Sequence, residues 1–438
     1  MNYIFVDSSI VLGGVETLLI ELAKYLINKD NKVYFTSYKT ENIYKNNLSE
    51  VDNIFFLYKQ VEPKTIEFFS SRELKLEKRN ILDQLDENQE YHVIAPYFDA
   101  LQFAIAVFGD KNNFKLMHLW AHTQSWCTTL KLKNNDWFTK EKIVNSKYMY
   151  QKKLLAALRD NGGDFYSSRS VTVFNSWYYD IDINPQKVES LPIDSYNQIE
   201  SWEYDNNKNS LSVLWVGRFD AWKNEAIIYI YRTLELLAEK NKGVKIKFDI
   251  VGYGSPQHDA YIRNSVFSNN VQVNFIGGVK PEELPKLFTE YDIGIAMGLT
   301  VKKMAQVGLP SIVIDMFDNI EEYNKNANWL FETSEGDAGN GYYFKIAGQE
   351  LKQRKKLEEI LEEVIMNPCI LSQYSIKCKE FVDEYYSFDK QSKAIVDTVK
   401  NSTFAGIKYP VYRRNLALRI AYSGYKKIKN LKHLLSGR

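Results

Sequence analysis

Cysteine and histidine are scarce in this sequence, which has three cysteines and five histidines among 438 residues. Cys127, Cys369 and Cys378 are far apart and form no C-x-x-C pair, which argues against a disulfide framework and against a thiolate metal site. The histidines do not combine with carboxylates or cysteines at metal-ligand spacing, so we predict no metal ion.

Long apolar runs and an excess of one charge are also missing. The start, MNYIFVDSSIVLGG, has no basic region before an apolar stretch, and no window approaches about eighteen uninterrupted apolar residues. We therefore expect neither a signal peptide nor a membrane-spanning helix, and we expect a cytoplasmic protein with reduced thiols. Lys plus Arg (56) nearly equals Asp plus Glu (55), so the net charge gives no reason to expect nucleic acid as the ligand.

Short apolar runs alternate with helical patterns in two series, in a chain long enough for two domains. The first series runs through YIFV, the helical spacing of GVETLLIELAKYLI, KVYFTSY, HVIAPYF and FKLMHLWAH, and we expect VTVFNSW to be a further strand. The second runs through LSVLWVGRF, FDIVGYG, VQVNFIGGV, DIGIAMG and PSIVID, with a helix predicted over 300–308. Such alternation predicts an α/β fold with parallel sheets covered on both faces.

We therefore predict two Rossmann-like, doubly wound domains facing a cleft, where such sheets bind their ligands. The first domain is expected to cover 1–195 and the second 211–385. The polar stretch 196–210 lacks apolar periodicity and is expected to be a linker. A basic, amphipathic helical segment is expected over 386–438.

Two cations follow the first strand of the second series. Arg218 and Lys223 stand five positions apart across a turn in VGRFDAWKN. Both heads can reach one phosphate group, Arg as a planar fork and Lys as a point charge. The alternative is that both are solvated turn residues.

Glycines stand at the ends of several predicted strands. Gly13 and Gly14 open the first helix, where a ligand can approach backbone N–H groups, although a plain strand-to-helix turn has the same pattern. The glycines at later strand ends are Gly252, Gly254, Gly277 and Gly278. For these, a turn role and a ligand-binding role are compatible.

The motifs GGVETLL, VGRFDAWKN, FDIVGYG, VNFIGGVKPEELPKLFTEYDIGIAMG and GLPSIVID, in this order and spacing, resemble those of GT-B glycosyltransferases. The resemblance is specifically to the retaining group called family 4 and covers most of both domains. It implies an acceptor-side first domain, a second domain that binds the nucleotide sugar, and C-terminal helices that return to the first domain. It also assigns Arg218 and Lys223 to the donor diphosphate, which makes a metal or other cofactor unnecessary, and it places the nucleotide at the strand-end glycines of the second domain.

One feature of that family is missing. It carries a Glu seven residues before the Pro of GLP and another eight residues earlier, and the matching positions here are Lys303 and Ile295. An ammonium group cannot accept a hydrogen bond from a ribose hydroxyl. Either an acid from elsewhere replaces the pair, or Lys302 and Lys303 add cations for phosphate, or the site has degenerated. The acids considered are Asp292, Asp315 and Asp318.

The predicted helix over 300–308 begins next to Gly298, so its amide dipole can face an anion whatever replaces the glutamates. We therefore count Gly298, Thr300 and Lys303 among the donor-binding residues.

Two histidines lie in KLMHLWAH, and their spacing puts both on one face of the predicted strand. The resemblance places residues near the transferred sugar at the end of this run, so His122 is our candidate for a catalytic polar contact. An ordinary hydrogen-bonded histidine is the alternative, and His118 is expected beside the core. Trp120 and Trp126 can offer flat faces to a sugar or pack in the core.

Two basic stretches suggest an anionic membrane surface. Residues 130–159 carry lysines with Trp137, Tyr148 and Tyr150 between them, and the tail from 411 onward has no acid and can form a cationic amphipathic helix. The alternative for both is a solvated basic face, with the apolar stripe of the tail packed on its own domains. The basic residues of the stretch 130–159 are Lys131, Lys133, Lys140, Lys142, Lys147, Lys152, Lys153 and Arg159.

These features predict a cytoplasmic glycosyltransferase, peripheral on the inner face of the cell membrane. It would move a sugar from a nucleotide diphosphate to a lipid-linked or polysaccharide acceptor in cell-surface glycan biosynthesis, and the resemblance implies retention of the anomeric configuration. The alternative is a non-catalytic, glycosyltransferase-like subunit that binds a glycan or supports a partner enzyme. A two-domain sugar epimerase would need a catalytic acid and base pair, which the sequence does not reveal. No nucleic-acid recognition motif accompanies the basic stretches.

Overall fold

The computed structural model describes residues 1–7, 14–38, 43–48, 51–60, 66–121, 130–133, 137–142, 145–184, 190–193, 202–204, 209–266, 270–315, 325–333, 337–349 and 354–413. In chain order the strands are β1 Asn2–Phe5, β2 Lys32–Tyr38, β3 Ile54–Lys59, β4 Tyr91–Ala95, β5 Phe114–Trp120, β6 Leu130–Lys133, β7 Trp137–Lys142, β8 Asp164–Tyr166, β9 Ser210–Val216, β10 Lys245–Val251, β11 Val271–Gly277, β12 Ile293–Ala296, β13 Ser311–Ile314, β14 Lys325–Trp329 and β15 Lys355–Lys356. The helices are α1 Gly14–Ile27, α2 Ile43–Leu48, α3 Ser71–Leu82, α4 Phe98–Phe108, α5 Ser146–Asp160, α6 Arg169–Tyr179, α7 Ala221–Lys240, α8 Pro256–Ser265, α9 Leu284–Phe288, α10 Leu299–Gln306, α11 Gly341–Ile346, α12 Leu357–Met366, α13 Ile370–Tyr385 and α14 Phe388–Asn401.

The chain divides into two compact units. The first unit comprises Met1–Thr128, Val144–Phe165 and Ser392–Arg438, and the second comprises Thr129–Ile143 and Tyr166–Gln391. The described residues from 392 to 413 thus belong to the first unit, as the resemblance implied. This division differs from the expected limits, because 129–143 and 166–195 lie in the second unit. That the units face each other across a cleft stays a prediction.

The sheet of the first unit has the order β3-β2-β1-β4-β5-β8. The pairs from β3 to β5 are parallel, and Tyr3 of β1 is level with both Val33 and His92. β1 and β4 are buried along their whole length, which is typical of parallel strands with helices on both faces. The predicted doubly wound arrangement is confirmed for this unit.

The sheet of the second unit has the order β11-β10-β9-β12-β13-β14-β15. β9 pairs in parallel with both β10 and β12, whereas the pairs β13–β14 and β14–β15 are antiparallel. The chain winds from β9 outward to β11 and then returns to place β12 on the other side of β9. The strand order therefore reverses between β9 and β12, and doubly wound sheets bind their ligands at such a point.

The segment VTVFNSW is part of helix α6 and not a strand, so this prediction was wrong. Ser168 caps the helix, because its hydroxyl accepts a hydrogen bond from Val171 N at 3.4 Å. Phe174 packs edge-on against Tyr343 of α11, with ring centroids 5.3 Å apart. The β-branched residues favour a strand locally, but the cap and this packing in the second unit favour the helix.

The predicted linker is in part a packed segment. Trp202 is buried, and its indole N–H donates to the backbone oxygen of Tyr291 at 2.6 Å within the second unit. Residues 202–204 are described, whereas 194–201 and 205–208 lie outside the described residues.

The C-terminal segment is bonded to the first unit. The hydroxyl of Ser402 donates to Leu116 O at 2.6 Å, and Lys115 Nζ donates to Lys400 O at 2.8 Å. These contacts tie the last turn of α14 and the residue after it to β5. Among the described residues, no helix is both long enough and apolar enough to cross a membrane.

Candidate functional site

Several predicted residues lie at the carboxyl edge of the second sheet. Arg218 follows β9, Gly252 follows β10, Gly277 ends β11, and Gly298 follows β12. β9 and β12 are neighbours at the point where the strand order reverses. Arg218 and Gly298 therefore stand on the two sides of this point. The structure thus brings these two residues to the place where a ligand is expected.

Backbone hydrogen bonds hold together the loops after β9 and β10. Phe219 N donates to Tyr253 O at 2.9 Å, and Phe219 pairs with Gly254 in a parallel bridge. A Cβ atom on Gly252 would lie 1.9 Å from Gly217 O, and one on Gly254 would lie 2.2 Å from Phe219 O. Gly252 and Gly254 are therefore required by the close approach of the two loops, and ligand binding by them stays a prediction.

Gly277 and Gly298 differ from that pair. Both have left-handed backbone, with φ +83° and +68°, and no atom lies within 4 Å of the position of an added Cβ. Open space therefore borders the ends of β11 and β12. Of the other small residues predicted to bind the donor, Gly14 begins α1 and Thr300 is half-buried in α10, whereas Gly13 lies outside the described residues.

The two predicted phosphate cations lie beside the N-terminus of α7. Arg218 is exposed and has no ion-pair partner among the described residues. Lys223 Nζ lies 3.7 Å from Asp220 Oδ2, while Asp220 Oδ1 caps the helix by accepting from Lys223 N at 3.1 Å. Burial lowers the pKa of Lys223, the Asp220 carboxylate opposes this shift, and the Arg218 guanidinium adds to it. The two cations are thus close enough for each to influence the other, whereas their shared contact with one anion stays a prediction.

Asp220, Asn224 and His258 were missed by the sequence analysis. Asn224 is 2% exposed, and its amide nitrogen lies 3.0 Å from His258 Nδ1. This contact joins the first turns of α7 and α8 and requires the imidazole nitrogen to be the acceptor. The only sequence signal was Asp220, an acid immediately before a helix.

The two positions that replace the family glutamates have different surroundings. Ile295 is fully buried in β12, whereas Lys303 is half-buried on α10. The neighbouring Lys302 is 5% exposed, and its Nζ lies 3.9 Å from the centroid of the Tyr386 ring. Burial lowers the pKa of Lys302 to about 7, and the Asp337 carboxylate opposes this shift. Lys302 is therefore a core residue, and this position does not fit its suggested role as a cation for phosphate.

Two of the three acids suggested as replacements have internal partners. Asp292 precedes β12, at the amino edge of the sheet, and accepts from Ser212 N and Oγ at 2.7 and 2.8 Å. Asp315 is buried at the carboxyl end of β13, where Arg354 donates to both of its oxygens at 2.5 and 3.0 Å. Neither carboxylate is therefore placed to accept a bond from ribose. Asp318 lies outside the described residues.

A buried polar group occupies the corresponding edge of the first sheet. Asp7 follows β1 and accepts a hydrogen bond from the Tyr44 hydroxyl, and the Tyr97 hydroxyl donates to Glu16 Oε1 at 2.8 Å. Burial raises the pKa of both tyrosines, and their hydrogen-bonded carboxylates raise it further. Sequence reasoning missed this group, because its four members are spread over 91 positions and come together only in the fold.

Of the aromatic and imidazole candidates in the first unit, the described ones lie in the core. His118 is fully buried, its Nδ1 lies 2.8 Å from Ala95 O, and burial lowers its pKa to about 3. Its expected core position is therefore confirmed. Trp120 is also fully buried, so it cannot offer a face to a sugar. His122 and Trp126 lie outside the described residues.

The part of the basic stretch 130–159 that belongs to the first unit is less available to a membrane than predicted. Lys147 is buried, with its Nζ 3.1 Å from Glu67 Oε2, and Tyr148 is 2% exposed. Tyr150 packs edge-on against Phe98 with ring centroids 6.4 Å apart. These side chains stabilise the unit internally. The predicted amphipathic tail over 414–438 lies outside the described residues.

Metal ligands were not expected. Within the part of the chain that the structure describes, no three His, Cys, Asp or Glu side chains are grouped so that they could hold a metal ion. Independence from metals and other cofactors stays a prediction.

No protein-family model matches the sequence, and a search among curated proteins finds no significant sequence match. By structure, the chain is similar to a variant of S. aureus TarM solved with fondaparinux, alpha-GlcNAc-glycerol and UDP, with TM-score 0.56, 10% identity, and coverage of 91% of this chain and 99% of that one. It is also similar to WaaB, a lipopolysaccharide outer core galactosyltransferase, with TM-score 0.56, 13% identity and coverage of 91% and 99%. WaaG, a glycosyltransferase involved in lipopolysaccharide biosynthesis, has TM-score 0.51, 12% identity and coverage of 91% and 99%. Membership of family 4 stays a prediction, and these likenesses show the fold alone, which is two Rossmann-like α/β units of the GT-B type.

Proposed function

We propose that the protein is a glycosyltransferase that moves a sugar from a nucleotide-diphosphate donor to a lipid-linked or polysaccharide acceptor in cell-surface glycan assembly, with retention of configuration. The observation that supports this most is the position of Arg218 and Lys223 in a GT-B fold. They lie next to the point between β9 and β12 where the strand order reverses. The names of two structural neighbours, WaaB and WaaG, describe a galactosyltransferase and a glycosyltransferase of lipopolysaccharide.

The proposed chemistry follows from the leaving group. When the bond between the anomeric carbon and the diphosphate oxygen breaks, negative charge develops on the departing diphosphate. The Arg218 guanidinium would donate two parallel N–H bonds to it, and the Lys223 ammonium would add a point charge. The positive end of the α7 dipole would add to this stabilisation. We expect Lys223 to exchange its long contact with Asp220 for the phosphate.

The second candidate is a non-catalytic subunit that binds a glycan or supports a partner enzyme. It is favoured by the positions of the acids, because Lys303 and Ile295 replace the family glutamates while Asp292 and Asp315 are held by internal partners. A ribose hydroxyl would then lack its usual carboxylate acceptor.

The same proposal places the protein in the cytoplasm, peripheral on the inner face of the cell membrane, and without a nucleic-acid partner. On α5, Lys153 is exposed, and Met149 is 45% exposed one helical turn earlier. Such a pair suits the boundary between anionic headgroups and acyl chains.

Thermal shift and titration calorimetry with a panel of nucleoside diphosphates test the proposal. We expect one nucleotide to raise the melting temperature of the wild type, and Lys223→Met to weaken its binding by roughly 10- to 100-fold, as expected for one charge-assisted hydrogen bond. Lys242→Met is the matched control, because Lys242 is exposed just beyond the other end of α7. If no nucleoside diphosphate binds the wild type, the glycosyltransferase proposal is wrong.

Turnover then separates the two candidates. Slow hydrolysis of the matching nucleotide sugar, lost in Arg218→Met and Lys223→Met, would support catalysis. Tight nucleotide binding without release of sugar, even with membrane extracts supplied as acceptor, would favour the non-catalytic subunit.

A further inference from the structure

Tyr253 is an exposed aromatic residue at the carboxyl edge of the second sheet. It stands between Gly252 and Gly254 after β10, and its relative exposure is 68%. Its side chain makes no hydrogen bond or ring contact with the described residues. One exposed aromatic side chain is ordinary in a folded protein, but its backbone and its neighbours point to a ligand.

The backbone that carries the ring is held on both sides. Tyr253 O accepts from Phe219 N at 2.9 Å, and on the other side Gly252 N donates to Gly277 O at 2.9 Å. The residue that follows, Gly254, is paired with Phe219. The backbone beneath the ring is therefore already ordered, so a ligand that binds there does not have to order this loop.

Glycines border the ring at the end of β11. A Cβ atom on Gly278 would lie 3.2 Å from Tyr253 Cδ1 and 3.5 Å from Cε1, so a larger residue there would crowd the ring. Gly277 faces open space, and the preceding Ile276 is 42% exposed. The edge of the ring therefore adjoins backbone and open space, which suits a flat group lying across the ends of β10 and β11.

The ring is level with one of the phosphate cations. Val216 is paired with Val251, and Phe219 is paired with Gly254 at the same offset along the chain, so Arg218 is opposite Tyr253. Adjacent strands are about 5 Å apart. A flat group on Tyr253 would therefore be adjacent to an anion held at Arg218.

We propose that Tyr253 stacks on the base of the donor nucleotide, with the base above the ends of β10 and β11 and the diphosphate toward β9 and α7. This rests on the proposed function and adds a residue that determines nucleotide affinity. Stacking recognises the flat face of any base, so Tyr253 would supply affinity, and polar groups elsewhere would choose between bases.

The test is calorimetric titration of wild type, Tyr253→Ala and Tyr253→Phe with the nucleoside diphosphate that binds the wild type, and with inorganic pyrophosphate as a probe without a base. We expect Tyr253→Ala to weaken nucleotide binding by roughly 5- to 150-fold, as for loss of one stacked base. Pyrophosphate binding should stay within about twofold, and Tyr253→Phe should bind like the wild type. Tyr261→Ala is the control, because Tyr261 is a partly exposed tyrosine on the adjacent α8.

Several results would overturn stacking on the base. They are unchanged nucleotide affinity in Tyr253→Ala, an equal loss for pyrophosphate, or a loss seen only with the nucleotide sugar. If Tyr253→Ala binds the nucleotide like the wild type while Lys223→Met weakens binding as expected, the proposed function stands without Tyr253. If the wild type binds no nucleotide, both proposals fail together.

Discussion

Substitution of Lys302 by methionine should change how the stability of the protein depends on pH. Lys302 is 5% exposed, and burial lowers its pKa from 10.5 to about 7, with only the Asp337 carboxylate opposing the shift. Between these two values the unfolded chain holds a proton that the folded protein has released. Unfolding then takes up a proton, so the free energy of unfolding rises with pH across this window, by up to about 1.4 kcal/mol per pH unit from this residue.

Urea denaturation of wild type and Lys302→Met at pH 7, 8 and 9, all within the window set by the two pKa values, measures this contribution. Methionine has similar length and no charge, so it should be the more stable form near pH 7. Its advantage should shrink by about 1 kcal/mol for each pH unit, because the other titrating groups are common to both proteins. Gln306→Met on the same helix removes no titratable group and should keep the wild-type slope. Equal slopes for wild type and Lys302→Met would refute the reasoning.

Two further predictions concern the second unit. Arg354→Met leaves the buried carboxylates of Asp315 and Asp337 without their cation. We expect it to lower the unfolding free energy by about 3–5 kcal/mol, measured by urea denaturation at neutral pH. A loss below about 1 kcal/mol would show that these ion pairs are not buried as described. Gly254→Ala should abolish nucleotide binding in calorimetry, because its Cβ would lie 2.2 Å from a backbone oxygen across the loop. Gly243→Ala, which meets nothing within 4 Å, is the control, and retained binding in Gly254→Ala would contradict the close loop approach.

The fold could be predicted where local patterns and tertiary packing agree. β1, β4 and β12 are short apolar runs buried throughout, and their order along the chain is enough to predict two doubly wound sheets. The pattern failed at α6, where β-branched residues favour a strand but the cap at Ser168 and the packing of Phe174 favour a helix.

The site could be predicted only in part, because contacts between distant segments decide it. Arg218 and the strand-end glycines follow directly from the apolar runs before them. Asp292 and Asp315 looked available, yet their partners Ser212 and Arg354 are 80 and 39 residues away. Nothing local in the sequence distinguishes the buried Lys302 from the half-buried Lys303. Because buried lysines are rare, both would be expected at the surface. The exposure of an aromatic residue between two glycines is likewise visible only once the loops are placed.

The return of the chain end to the first unit has a consequence for biosynthesis. The second unit is complete once residue 391 has left the ribosome, whereas the first unit still waits for the segment around Ser402 that bonds to β5. The usual order, in which the N-terminal domain matures first during translation, is therefore reversed. A stop codon placed shortly after residue 391 would leave the second unit able to fold. It would remove from the first unit the segment that bonds to β5.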